Sequence, residues 1–339
     1  MPPLLEVDDL RVTLPTARGA AEALRGLSFS LGRGRTLGLI GESGCGKSLT
    51  ALALMGLLPD RARVAGTMRF DGLALHALAE RDWCQLRGAR IGMVFQEPMT
   101  ALNPLHTVGR QIAEPLRLHR GLPAAAARAE ALRLLERVQL PQAAQRLGAY
   151  PHQLSGGQRQ RVVIATALAC GPDLLIADEP TTALDVTVQR EVLDLIASLV
   201  ADAGMALLLV SHDLGVMADR VEQLAVMYAG CIVESGPTAQ VFAQPLHPYT
   251  RGLFAARPRI GLARGTRLAT IPGRVPALHE RPPGCAFADR CALAIDACRA
   301  AEPPETSPAP GRRVRCIRAS EPVAAANSVA AAGMAAAAA

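Results

Sequence analysis

The chain has 339 residues, half of them apolar and 19% charged, with a formal net charge of +6. That is enough to bury one large core with an appendage, or two ordinary domains. Aromatic residues make up only 3%, too few for a single-strand nucleic-acid surface built on stacking platforms. The arginine excess of residues 251–318 therefore reads as a solvated face rather than a face for nucleic acid or anionic lipid.

No run is long enough to span a bilayer: the apolar stretches at 174–177 and 206–210 are short and flanked by charge. Glu6, Asp8 and Asp9 come too early for a leader peptide. A cytosolic chain is expected, with any membrane role exercised by docking. Lys47 is the single lysine, every other strongly basic position being arginine. A compact, flexible ammonium is thus placed where a planar guanidinium fork would not serve.

In chain order, residues 4–40 alternate apolar and polar positions in short runs broken by glycine (LLEVDDLRVTL, ALRGLSFSLGRGRTLGLI), which predicts strands. Residues 37–40 form a compact apolar strand that leads straight into a glycine-rich loop. GTMRFDG at 66–72 predicts another short strand. Residues 104–147 are rich in Ala, Leu, Arg and Glu, and an apolar spacing of about 3.6 across 124–138 predicts a helical insertion. After Ser155 the pattern gives a helix, an apolar strand at 174–177, a helix over 186–203 and a second apolar strand at 206–210. Buried strands alternating with helices predict a parallel sheet covered on both faces. Near Gln244 the character changes. Residues 257–322 are rich in proline and arginine and hold four cysteines, a boundary and a small appendage; 323–339 are nearly all alanine and read as a frayed, disordered tail.

Gly41-Glu42-Ser43-Gly44-Cys45-Gly46-Lys47-Ser48 fits the phosphate-loop pattern G-x-x-x-x-G-K-[ST]. Glycines let consecutive N–H groups turn inward around phosphates, and the helix that follows, through Leu49, points its positive end at them. Lys47 is assigned to the β- and γ-phosphates and the Ser48 hydroxyl to Mg²⁺. Cys45 fills a free position of the motif and is given no redox role. Leu174-Leu175-Ile176-Ala177-Asp178-Glu179-Pro180 is an apolar strand ending in two carboxylates. It delivers Asp178 to the magnesium and Glu179 to the attacking water as general base.

Leu154-Ser155-Gly156-Gly157-Gln158-Arg159-Gln160-Arg161, shortly before that strand, resembles the signature segment of ABC ATPases. Gln96 in Val94-Phe95-Gln96-Glu97-Pro98 resembles the Q-loop, Ala183-Leu184-Asp185 the D-loop, and His212 in Leu209-Val210-Ser211-His212-Asp213 the switch histidine. The resemblance covers about residues 4–255. It implies an α/β fold of the ABC nucleotide-binding type: a RecA-like parallel sheet core, an antiparallel β subdomain and an α-helical subdomain at about 100–165. The domains expected are an ATPase unit at 1–255 and a small Cys/Pro-rich C-terminal extension at 256–322. By the same resemblance Gln96 contacts the magnesium or the lytic water, His212 holds the γ-phosphate, and Asp185 belongs to the nucleotide site. Ser155, Gly156, Gly157 and Gln158 face the γ-phosphate bound by a second ATPase subunit. The start of their helix carries free N–H groups, yet the helical insertion separates it from its own phosphate loop. The family usually stacks an aromatic ring on adenine from the early strands. Here Arg11-Val12-Thr13-Leu14 offers only aliphatic side chains, Leu14 nearest, and the base contact stays open.

Gln96-Glu97-Pro98-Met99-Thr100-Ala101-Leu102-Asn103-Pro104 resembles the extended Q-loop of dipeptide, oligopeptide and nickel importer ATPases. His247-Pro248-Tyr249-Thr250 and Ile271-Pro272-Gly273-Arg274-Val275-Pro276 resemble the C-terminal extension of the peptide group. The partners implied are a second ATPase chain, identical or not, two transmembrane permease subunits and, indirectly, an extracytoplasmic substrate-binding protein, with the chain peripheral on the cytoplasmic face of a bacterial inner membrane. No nucleic acid is expected. A nickel or other small-solute importer of the same family is the nearest alternative. A soluble ABC ATPase of DNA repair or translation is the alternative of another class, but the second ATPase unit or long coiled coil usual there is missing. Cys285, Cys291, Cys298 and Cys316 are separated by five, six and seventeen residues. In a cytosolic chain clustered cysteines read as a metal site before disulfides. Four thiolates suit a 4Fe-4S cluster, which the peptide-importer extension is associated with; zinc comes second because the spacing lacks C-x₂-C pairs. Cys84, Cys170 and Cys231 read as ordinary core or surface residues.

Overall fold

The computed structural model describes residues 2–182, 184–256 and 270–320. The alanine-rich tail expected at 323–339 and Ala183 of the D-loop segment lie outside them. Two sheets organise the chain. The smaller is antiparallel and contains β1 (Leu5–Thr16), β2 (Gly19–Leu31), β4 (Arg63–Phe70) and β5 (Leu73–Ala74), in the order β2-β1-β4-β5. The short runs of the N-terminal sequence are thus two long strands, which stay paired because bulges at Val7–Leu10 and Leu10–Val12 absorb their irregular alternation.

Among the described residues the larger sheet has eight strands. β3 (Thr36–Ile40), β6 (Ile91–Val94), β7 (Leu174–Asp178), β8 (Ala206–Ser211) and β9 (Gln223–Tyr228) run parallel, in the order β9-β3-β8-β7-β6. β10 (Cys231–Pro237), β11 (Thr306–Ala309) and β12 (Arg312–Val314) extend it antiparallel beyond β9. The all-apolar strands follow from burial on both faces. In β8, Leu207 and Leu209 enter one core and Ala206, Leu208 and Val210 the other; β7 divides in the same way. The first core lies between the sheet and the helices Val108–Arg120, Ala124–Arg137, Gly156–Ala167 and Val186–Ala203; the second lies between the two sheets and the helix Lys47–Leu54. In the expected helical insertion, Ala127, Ala131, Leu134 and Leu135 are the buried face of Ala124–Arg137, a helical stripe. Among the described residues no helix is long and apolar enough to cross a membrane.

The C-terminal segment is more than an appendage. It adds β12 to the edge of β10, and Arg312 (5% exposed) pairs with the fully buried Glu234. Glu234 also accepts hydrogen bonds from the backbone N–H groups of Leu246 and His247. A segment rich in proline and arginine has little apolar surface of its own, so it is ordered by what it lies on.

His247 caps the helix Pro248–Ala255, its Nδ1 accepting from the Tyr249 N–H at 3.0 Å. Burial, and secondly the Arg251 charge, push its pKa down to about 3. Unfolded, it protonates near pH 6.5. The unfolded chain therefore binds one more proton between about pH 6.5 and 3. Stability is at its full value above that window and falls below pH 6.5 by about 1.4 kcal/mol per pH unit. His247→Asn keeps a capping acceptor without a titrating ring. Urea unfolding between about pH 6 and 4 should show a slope shallower by one proton in this variant; equal slopes would mean that the folded histidine protonates.

Candidate functional site

β3 ends at Ile40 and the chain turns through residues 41–46 into the helix Lys47–Leu54. Gly46 caps that helix at φ 110°, in the left-handed region, with Leu24 so close behind that a Cβ could not be placed without displacing it. The loop wraps the buried Lys47 ammonium, whose Nζ donates to the Gly41 and Glu42 carbonyls at 2.9 and 3.2 Å. A cleft of about 790 Å³ opens over it, lined by Gly41, Glu42, Ser43, Gly44, Gly46, Lys47, Ser48 and Leu49, together with Gln96, Glu179, Thr182 and His212. Cys45 is 1% exposed and does not line this cleft: its side chain belongs to the core between the sheets, where burial pushes the thiol up.

β7 carries the two carboxylates to the loop. Ser48 Oγ donates to Asp178 Oδ1 at 3.1 Å. Burial raises the Asp178 carboxyl above its ordinary value, and the Glu179 charge adds to this. Glu179 stands just beyond the strand at φ 43°, a left-handed conformation that is uncommon for a side-chain-bearing residue. Its carboxylate collects Lys47 Nζ at 3.5 Å, Thr182 Oγ1 at 3.0 Å, His212 Nδ1 at 3.0 Å and Gln96 Nε2 at 3.3 Å. Burial works to raise the Glu179 carboxyl. The Thr182 hydroxyl, the Lys47 ammonium and His212 outweigh it and hold the group below its ordinary value, so it is ionised at neutral pH. Lys47, Ser48, Gln96, Asp178, Glu179 and His212, six residues from four separate segments of the sequence, thus meet at one point. Ser48 and Asp178, a hydroxyl against a buried carboxylate beside a second one, are a donor set that suits a hard divalent cation.

The signature residues lie elsewhere. Ser155 caps the helix Gly156–Ala167: its side chain accepts from the Gln158 N–H, and Gln158 Oε1 accepts from the Ser155 N–H. Ser155 and Gly156 are exposed, and none of Ser155, Gly156, Gly157 or Gln158 lines the cleft. Asp185 likewise stays outside it, exposed, and caps the helix Val186–Ala203 by accepting from the Val188 N–H.

Three contributors were not assigned from the sequence. Thr182 reaches Glu179 from the turn after β7. Tyr249, fully buried, accepts from the Glu42 N–H at 2.8 Å through its hydroxyl. Arg290, from the C-terminal segment, donates to the Glu42 carboxylate at 2.9 Å and to the Tyr228 hydroxyl at 3.3 Å, with its guanidinium over the Tyr228 and Phe287 rings. The position of Thr182 just beyond the acidic pair is a signal that was available; Tyr249 and Arg290 follow no local spacing rule.

Beneath this cluster Cys285, Cys291, Cys298 and Cys316 line one small pocket with His247 and Phe287. Burial raises the thiols of Cys285 and Cys291 and pushes Cys316 up to about 11, and charge on the neighbouring cysteines opposes ionisation further. Among the described residues, however, no group of three or more His, Cys, Asp or Glu side chains is arranged to hold a metal ion. Four sulfurs of the expected kind and number converge, without forming a ready coordination shell.

Comparison with known proteins is consistent with this geometry. Residues 24–182 match the ABC transporter family model, and 233–298 match the C-terminal region of oligopeptide/dipeptide transporters. A protein of Brucella melitensis biotype 1 named for peptide import and ATP binding is 49% identical over 328 residues, covering 93% of this chain and 97% of that protein. The oligopeptide transport ATP-binding protein OppD of Salmonella typhimurium is 48% identical over 315 residues, 93% of each chain. A solved dimeric ATP-binding cassette in a post-hydrolysis state, bound to ADP and Pi, superimposes with a TM-score of 0.62 at 28% identity, over 69% of this chain and 98% of that one.

The Arg290 clamp generates a test. Arg290→Met keeps an apolar stem over Tyr228 but frees the Glu42 carboxylate in the loop. Affinity for a nucleoside triphosphate is expected to fall about five- to thirtyfold by calorimetry, the equivalent of about 1–2 kcal/mol. Unchanged affinity would make the clamp a packing contact of no consequence to the loop.

Proposed function

The chain belongs to the ATP-binding subunits of ABC transporters, in the branch marked by the oligopeptide/dipeptide C-terminal region, and on that premise we propose that it hydrolyses ATP to energise the uptake of di- or oligopeptides. The observation that carries the reading is the meeting of Lys47, Ser48 and Glu179 in one cleft, with Asp178 hydrogen-bonded to Ser48, in a chain that also bears the peptide-transporter C-terminal region.

The loop N–H groups and Lys47 bind the β- and γ-phosphates of ATP. Ser48 and Asp178, with Gln96, are the residues that would hold Mg²⁺, whose charge neutralises the phosphate oxygens. Ionised Glu179 takes a proton from the attacking water as the water oxygen bonds to the γ-phosphorus and ADP leaves. Its left-handed backbone sets the carboxylate at the rim of the loop, and Gln96, Thr182 and His212 fix its direction. His212 is then within reach of the γ-phosphate.

The helix end at Ser155 is exposed and does not line the cleft of its own chain, which supports a head-to-tail dimer in which Ser155, Gly156, Gly157 and Gln158 of one copy complete the cleft of the other, with Asp185 at the junction. ATP favours the closed dimer and hydrolysis releases it, so binding and cleavage become motion at the membrane. Two permease subunits provide the channel and an extracytoplasmic binding protein the cargo. The chain itself sits peripherally at the cytoplasmic face.

The four cysteines are the residues that would hold an iron–sulfur cluster or zinc; either would fasten the C-terminal segment, and a cluster would add a one-electron couple. Their convergence on one pocket supports the donor set, and the incomplete shell means that the segment must tighten around the group.

Two measurements test these roles. Glu179→Gln should retain ATP binding, lower turnover by roughly 10²–10⁴-fold and accumulate a dimer in ATP on size-exclusion chromatography; full turnover would remove Glu179 as the base. Protein purified anaerobically should carry iron and acid-labile sulfide, lost in a Cys285→Ser/Cys316→Ser variant. Zinc alone would replace the cluster, and a metal-free protein would leave the thiols as packing groups.

A further inference from the structure

The cleft that holds the phosphate machinery has a second set of walls. Leu14 of β1, Ala23 of β2, Leu253 of the helix Pro248–Ala255 and Leu278 of the C-terminal segment line it as well. These four side chains carry no charge and no hydrogen-bonding atom. They cannot recognise phosphate, but they can cover the faces of a flat heteroaromatic ring. Leu14, Leu253 and Leu278 are half-buried, so each keeps apolar surface open to the cleft.

Leu278 is held there by its neighbours. Arg281 donates to the Glu22 carbonyl at 2.6 Å and to the Ala23 carbonyl at 3.3 Å. His279 Nε2 lies 2.7 Å from Thr16 Oγ1, whose own proton goes to the Gly19 carbonyl. Upstream, Arg290 donates to the Pro272 carbonyl at 2.7 Å, and Ile271 packs against Gly252. The strap from Ile271 to Arg281 is therefore tied to the hairpin of β1 and β2 on one side and to the helix of Leu253 on the other. Leu278 sits between these ties.

We propose that this strap forms part of the base-binding wall: Leu278, with Leu14, Ala23 and Leu253, encloses the adenine of ATP between aliphatic surfaces, where the N-terminal strand supplies no aromatic ring. The inference rests on the ATP-binding reading and deepens it. It gives the C-terminal segment a direct part in nucleotide affinity. The phosphates anchor at Lys47 and the base contributes through apolar contact, so loss of one leucine face is felt by ATP and not by a ligand without a base.

The test compares two probes, Mg-ATP and inorganic tripolyphosphate with Mg²⁺, by calorimetry on the full chain. Leu278→Ala is expected to weaken ATP roughly three- to tenfold and to leave tripolyphosphate unchanged. Leu278→Tyr, which restores a ring face on the same wall, should recover or exceed the parent's affinity for ATP. Unchanged ATP affinity in Leu278→Ala overturns the proposal. So does an equal loss for both probes, which would mean that the strap only steadies the loop. If the parent binds neither probe, the nucleotide reading fails and the inference with it; if the parent binds both and Leu278→Ala behaves like the parent, the inference fails alone.

Discussion

The site depends on one buried ammonium placed among carbonyls and carboxylates. Lys47 is 4% exposed and has no compensating anion of its own on the helix it begins. A charge that deep must be matched. Its partners are the Gly41 and Glu42 carbonyls, which shape the loop, and Glu179, which arrives on β7 from far along the chain. The same contact that satisfies the lysine also keeps Glu179 ionised and pointed at the loop. A fork-shaped guanidinium could not take three oxygens from these directions in so small a space.

Around that charge the fold is an exercise in delivery. The parallel sheet brings β3, β8 and β7 side by side, so that the phosphate loop, the acidic pair and His212 all follow the carboxyl ends of neighbouring strands. Ligand sites at the carboxyl ends of parallel strands follow from that geometry. Two cores hold the strands in register, one on each face.

The C-terminal segment is bound into this arrangement at several places, among them an added strand on β10, the buried Arg312–Glu234 pair, the clamp of Arg290 on Glu42 and the ties of His279 and Arg281 to the β1–β2 hairpin. Tyr228, Tyr249 and Phe287 pack against one another with ring centroids 4.7 to 5.4 Å apart and fill the space between the cysteine pocket and the phosphate loop. A region that reads in sequence as proline, arginine and cysteine is thus built into the nucleotide site through its arginines.

What the sequence determined by itself is local. Glycine spacing, a lone lysine and an apolar strand ending in Asp178 and Glu179 dictate backbone conformation within a few residues, so the phosphate loop, β7, β8 and the helices Val186–Ala203 and Ala124–Arg137 were all legible. The motif order then pointed to the family, and through it to the roles of Gln96 and His212. β6, β9 and β10 went unread, because nothing as distinctive as the glycine loop after β3 or the acidic pair after β7 punctuates them. Only the tertiary structure decided that Cys45 faces the core, that Thr182 and His212 share one oxygen of Glu179, that Tyr249 and Arg290 hold Glu42 of the loop, and that Leu278 lines the cleft. Those contacts join residues up to 248 positions apart, as Glu42 and Arg290 are. They are set by how two cores and an added edge strand pack, and packing leaves no trace in the spacing of neighbours along the chain.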